Sequence, residues 1–285
     1  MARVKPGEEF RVKIPDSSTM QIEETYTTKD MSKIDSGKFD GAVGPIEIEG
    51  AEPGDSIEVE LKEINTGKWG WTAILSDFGL LKGKFQEELI IWDLKDGFAA
   101  SRTNTLKGVK IPLRPFLGVV GTAPPSGEYG MIPPQFFGGN MDNRLLHQGA
   151  RLTLPVNVRG GMLSFADPHG AQGDGEVCGT AVETSAEVVA VVRLNKKVTV
   201  KAPRLISDDE FSGQQVVAMG ISPDLHKAAA DAVLEMIGIL GERGFKSNEA
   251  YALCSAAGNL RISEIVDEPN FVVSMVIPEA ILEKI

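Results

Sequence analysis

Residues 51–61 read AEPGDSIEVEL, and residues 4–14 read VKPGEEFRVKI. The two segments align without a gap: Pro6 meets Pro53, Gly7 meets Gly54, Glu8 meets Asp55, and Phe10, Val12 and Ile14 meet Ile57, Val59 and Leu61. In each, a Pro-Gly turn with an acidic residue opens a run in which apolar and charged side chains alternate, the period of a strand with one buried face. Two such strand starters in one chain point to a sandwich or barrel. The acid after each Pro-Gly has a ready structural use, which is to accept hydrogen bonds from turn amides.

Outward from this repeat the β signal continues. Residues 46–48 follow the Gly44-Pro45 punctuation, and short apolar runs recur at 88–94 (ELIIWDL) and 111–124 (IPLRPFLGVVGTAP). The alternation at 152–158 (LTLPVNV) predicts a strand in which Pro155 favours an edge or a bulge. Residues 188–192 are apolar enough for burial on both faces, and 197–207 supply a further strand. Residues 21–44 are polar and weakly periodic, either a long loop or a short helix near 29–34. After Ser207 the pattern changes: 223–244 is alanine-rich with helical spacing and Gly244 as C-cap, and 247–257 is a second helix capped by Ser247. Two strands follow, at 260–267 and 271–278, and then a short terminal helix. The expected fold is mainly β: a β-sandwich or jelly-roll-like body over residues 1–206 and a C-terminal α+β unit over 207–285.

The 285 residues, 42% of them hydrophobic, suffice for a real core, and the net charge of -11 argues against nucleic acid or an anionic membrane as partner. Cys178 and Cys254 form no CxxC pattern, so neither a disulfide framework nor a thiolate zinc site is indicated. The first residues have no apolar core of signal-peptide length and no run reaches the ~20 apolar residues of a membrane helix, so a cytoplasmic protein is expected.

The chemistry concentrates at 165–183, FADPHGAQGDGEVCGTAVE. One imidazole among several carboxylates suits a divalent cation, and the glycines allow a tight connection around it. The bland alternative is a solvated hairpin loop. Pro168 pushes Asp167 toward an extended conformation, so Asp167 and His169 project to one side as a two-point grip. A strand from Glu176 would put Glu176, Cys178, Thr180 and Val182 on one face and Glu183 on the other, unless Gly179 marks a bulge. One glutamate is then a ligand and the other a base or supporting partner. Cys178 has no evident activating partner and reads as a packing residue. Upstream, Gly138 and Gly139 lead to Asn140, Asp142 and Asn143, either a second wall of the site or a cluster of Asx turns. Trp69, Trp71, Phe78 and Leu80 are either pocket wall or core.

Taken in order, GPIEIEGAEPGDSIEVEL (44–61), WTAILSDFGLL (71–81), PFLGVVGTAP (115–124), PPQFFGGNMD (133–142), LPVNVRGGMLSFADPHGAQGDGEVCGTAVE (154–183) and NLRISEIVD (259–267) resemble the acetamidase/formamidase amide hydrolases. The resemblance implies hydrolysis of short-chain amides to the carboxylic acid and ammonia by a homo-oligomer carrying a divalent metal, zinc first and calcium second. By position it implies Asp142, Asp167, His169 and Glu183 as metal ligands and Glu176 as the proton-handling catalytic residue. Gly138 and Gly139, through their amides, and Asn140 are then expected to bind the substrate and its developing oxyanion. Two readings compete with this: a hydrolase of another C–N bond such as a lactam, and a non-catalytic metal- or ligand-binding β-sandwich.

Overall fold

The computed structural model describes residues 2–209 and 213–282. In chain order the strands are β1 (Ala2–Val4), β2 (Glu9–Ile14), β3 (Val43–Ile48), β4 (Ser56–Thr66), β5 (Trp69–Ile74), β6 (Glu88–Lys95), β7 (Phe98–Ser101), β8 (Lys110–Pro112) and β9 (Phe116–Gly121). They continue as β10 (Gly138–Asn140), β11 (Arg151–Pro155), β12 (Leu163–His169), β13 (Ala186–Asn195), β14 (Arg204–Asp209), β15 (Gly213–Ser222), β16 (Asn259–Glu264) and β17 (Phe271–Pro278). The helices α1 (Leu225–Glu242) and α2 (Ser247–Ala257) lie between β15 and β16.

Both copies of the repeat form the strands their alternation predicts, β2 and β4, and these flank β13 on its two sides, each antiparallel to it. The turn acids serve the turns themselves, since Asp55 accepts from the amides of Glu52 and Lys197 and Glu8 accepts from the amide of Lys5. The three strands belong to an eight-stranded sheet, β16-β17-β15-β14-β11-β4-β13-β2, which packs face to face on a five-stranded sheet, β1-β3-β12-β9-β10. Ile57, Val59, Leu152 and Val188 from the first interdigitate with Ile46, Leu117, Val120 and Phe165 from the second, so the body is a sandwich. The third sheet, β5-β6-β7-β8, is an antiparallel meander whose Trp71 and Ile91 pack with Ile22 on one side and whose Ile90 and Trp92 pack with Val182 on the other. Helix α1 lays Ala228, Ala232, Met236 and Leu240, one per turn, on the far face of β15 and β17.

Residue 206, where the sequence changes character, falls inside β14, and the C-terminal strands extend the sheet of the body. Several elements differ from expectation. The strand through Pro155 is interior, between β4 and β14; the proline is tolerated because it is the last residue of β11. Residues 197–203 are not a strand, and β14 begins at Arg204. Lys246, not Ser247, is the N-cap of α2.

Candidate active site

Asp167 and His169 end β12, but Asp167 is not extended as Pro168 suggests: its φ is +56°, in the left-handed region. The neighbouring strand explains how this is accommodated. Ala166 pairs with Val119 and Pro168 with Leu117, which leaves Asp167 opposite Gly118 of β9. The carbonyl of Gly118 accepts the amides of Met141 (3.0 Å) and Asp142 (3.3 Å), and so holds Asp142 beside Asp167 at the end of β10. A Cβ at position 118 would overlap both carboxylates, on Asp142 Oδ1 and Asp167 Oδ2. Glycine is therefore what lets the two acids converge.

No strand runs from Glu176. Residues 176–179 form a turn closed by the Gly179 amide on the Glu176 carbonyl (2.7 Å), with Glu176 at φ +45°. Two-residue alternation therefore does not apply, and Glu176 and Glu183 both face the cluster. Glu183 is clamped by its backbone to Trp71 on β5, through hydrogen bonds of 2.9 and 2.8 Å. Its carboxylate accepts from Ser17 Oγ (2.8 Å) and the Ala181 amide (2.6 Å).

At the centre His169 Nε2 stands 2.9 Å from Asp167 Oδ2, 3.1 Å from Glu183 Oε2 and 3.9 Å from Glu176 Oε1, while Nδ1 stands 3.8 Å from Asp142 Oδ1. Yet neither ring nitrogen is aligned for a hydrogen bond, and Asp142 Oδ1 and Asp167 Oδ1 are also buried without a partner. Phe116 meets the ring edge-on at 4.8 Å and helps to fix its plane. Asp142, Asp167 and His169, then His169, Glu176 and Glu183, then Asp142, Glu176 and Asp267 form overlapping groups whose ligand atoms lie within 4.8 Å of one another.

Electrostatics give the same picture. Burial opposes a charge on His169, but Asp167 and Glu183 outweigh it and hold the imidazole well above its usual range. Burial, reinforced by Asp142, pushes Glu176 well up, and burial likewise raises Asp167 and Asp142. Glu183 stays low because His169 overcomes its burial. One imidazolium cannot balance so many buried carboxylates, and a cation can. Ligand atoms bonded at about 2.0–2.2 Å to one ion lie roughly 3 Å apart, as Nε2 does from Asp167 Oδ2 and from Glu183 Oε2. With the unpartnered donors and the cradle at Gly118, the residues fit a divalent metal.

Several side chains outside the expected set belong to the site. Asp267, just beyond β16, is buried and accepts Asn140 Nδ2 at 2.9 Å. Asp40 is buried and pushed up to about 8 by burial and by the charges of Asp142 and Glu183. Asp267 closes the last of the family-like blocks and could have been found from it; Asp40 and Ser17 carry no local signal. Conversely, Asn143 turns away: its amide serves Ser274 Oγ (3.0 Å) and its Oδ1 accepts the Leu145 amide (3.1 Å). The Gly138 amide is already spent on the Gln135 carbonyl (2.9 Å), so it is no oxyanion donor, and neither Gly138 nor Gly139 lines the cavity. Cys178 directs its thiol to the Thr180 carbonyl (3.3 Å) and lines an outer cleft instead.

The cavity against the cluster measures about 40 Å3, walled on its apolar side by Phe39, Trp71, Leu75, Phe78 and Ile132. Glu176 and Thr180 stand between it and an outer cleft of about 750 Å3. Of the four aromatic-block residues, Trp71 and Phe78 are cavity wall, while Leu80 is exposed.

Compared with known proteins, the chain matches the model of the acetamidase/formamidase family over residues 1–129 and 127–284. It is 28% identical to a formamidase of Methylophilus methylotrophus, over 99% of this chain and 87% of that protein. An acetamidase structure from Bacillus halodurans superposes with a TM-score of 0.90 at 28% identity, covering 99% of this chain and 92% of that one. A gamma lactamase from Delftia acidovorans superposes with a TM-score of 0.68 at 26% identity, covering 100% and 88%.

Proposed function

This chain belongs to the acetamidase/formamidase family, and on that premise we propose that it hydrolyses short-chain aliphatic amides to carboxylate and ammonia at the buried Asp-His-Glu cluster, with a divalent metal held there. The observation that carries the reading is that Asp142, Asp167 and Glu183 line one small cavity while His169, whose ring nitrogens lack a hydrogen-bond partner, joins them in overlapping groups of potential ligands. A donor set of one imidazole and several carboxylates suits zinc, with calcium second because it asks for oxygen ligands throughout.

When bound, the metal supplies Lewis acidity toward the amide carbonyl and acidifies a water at neutral pH. The chain's own residues do the rest. Glu176, poised between cavity and cleft, takes the proton of the attacking water as its carboxylate and delivers it to the departing amine. Asn140 commits its Nδ2 to Asp267, which leaves its unpartnered Oδ1 to accept the substrate's amide N–H and orient it. Ser17 and the Ala181 amide hold the Glu183 carboxylate in place. Trp71 and Phe78 keep bulk water off the reacting carbon.

The test is ammonia release by purified protein from formamide, acetamide and a γ-lactam. Release from the linear amides supports the reading; turnover of the lactam alone would replace it with the cyclic-amide one that the Delftia acidovorans likeness suggests. A homo-oligomer in solution is part of the same reading, and light scattering reads it out. Among the described residues no helix is long and apolar enough to cross a membrane.

A further inference from the structure

A single water occupies ~10–15 Å3 on the scale in which the site cavity measures about 40 Å3, and the metal and the attacking water share that space with the amide, so each added heavy atom of the acyl group tells. Formamide has three; acetamide has four, propionamide five and a γ-lactam six. With its polar atoms directed at Asn140 and the carboxylates, a substrate presents its acyl substituent to the apolar wall. Two of those wall residues have a second face. Leu75 and Phe78 line both the inner cavity and an outer apolar groove of about 250 Å3 that also includes Leu80, Leu81 and Phe85. The groove is open, with Leu80, Leu81 and Phe85 each at least half exposed, at 50%, 57% and 61%.

Phe78 is held at this boundary by the turn that presents Glu176. Its ring lies over Gly179, where a Cβ would overlap it, and Gly179 is locked at φ +87° by its hydrogen bond to Glu176. Trp71, by contrast, is bound through its backbone to Glu183 and cannot retreat without moving the cluster.

We propose that Phe78, with Leu75, is the specificity-determining partition of this site: it restricts the wild-type enzyme to a formyl-sized acyl group, and the groove behind it is the space into which a longer acyl chain extends when the partition is cut back. The inference rests on the amidase reading given above. A methylene that finds no room costs about 10–200-fold in specificity, because a packed wall yields only at the expense of strain.

The experiment measures kcat/KM for formamide, acetamide, propionamide and butyramide with the metal-loaded wild type, Phe78→Ala and Leu75→Ala. The wild type is expected to favour formamide over acetamide at least tenfold and to decline further with chain length. Phe78→Ala is expected to raise the propionamide-to-formamide ratio at least tenfold, and Leu75→Ala to move it the same way, which provides the reading should Phe78→Ala fail to fold. A general packing defect would lower all four substrates together and leave the ratios where they were. Hydrolysis by the wild type with no preference for formamide, or ratios unchanged in the folded variants, overturns the partition while the amidase reading stands. Absence of ammonia from every amide in the wild type removes both.

Discussion

Gly118 shows most directly how a single residue decides the site. A methyl group there would overlap both Asp142 and Asp167, so Gly118→Ala must push at least one carboxylate aside. We expect metal affinity to drop by about 10–100-fold, the size of loss typical when the support of a ligand is removed, with the far-UV spectrum unchanged. Titration of the metal-free protein measures it. Glu176→Gln separates proton handling from ligation: kcat should decrease by about 10²–10⁴-fold while metal content holds, because the amide cannot accept a proton. Loss of the metal instead would make Glu176 a ligand. Asp167, His169, Glu176 and Glu183 were legible in the sequence because metal-suited side chains cluster there between glycines, whereas Asp142 stood out as a ligand only through the family-like block GGNMD. Their geometry was not, since a left-handed turn at Glu176 replaces the alternation that would have set the two glutamates on opposite faces. Asp40 and Ser17 were illegible because only the fold brings them to the cluster.

At the level of elements, the repeat and the two helices were readable because each has a strict period: two in β2 and β4, and one apolar residue per turn in α1. The Gly-rich loops were not, as glycine permits many paths and tertiary contacts choose among them. How α1 seats is set by Gly220 on β15, where a Cβ would run into the Ala228 carbonyl and the Ala232 amide of the helix backbone. Backbone cannot give way as a side chain does. Gly220→Ala should therefore destabilise the fold by about 1–3 kcal/mol, visible as a lower urea midpoint, with activity per folded molecule preserved. An unchanged midpoint would mean that the helix is free to slide.

On the scale of the whole molecule, the site lies where three sheets meet: His169 comes from the five-stranded sheet, Trp71 and its partner Glu183 from the meander, and Asp267 from beyond the end of β16 in the eight-stranded sheet. The arrangement buries many acids together, and this has a consequence for stability. Without metal, Asp40 and Glu264 are pushed up to about 8, chiefly by burial, from ordinary values of 3.8 and 4.5. Between those limits the folded chain holds protons that the unfolded chain has released, so the stability of the metal-free protein should fall as pH rises from about 5 to 8. Bound cation should flatten that slope, and urea midpoints with and without chelator check it. A metal-free midpoint that rises with pH would show that these acids ionise freely. Whether a divalent metal held by Asp142, Asp167, His169 and Glu183 supports amide hydrolysis is decided by ammonia release from formamide before and after verified metal removal, with re-addition of zinc. Activity should be lost on removal and return with the metal, and His169→Ala should show neither metal nor activity. Full activity in the verified metal-free protein would contradict a metal-assisted mechanism.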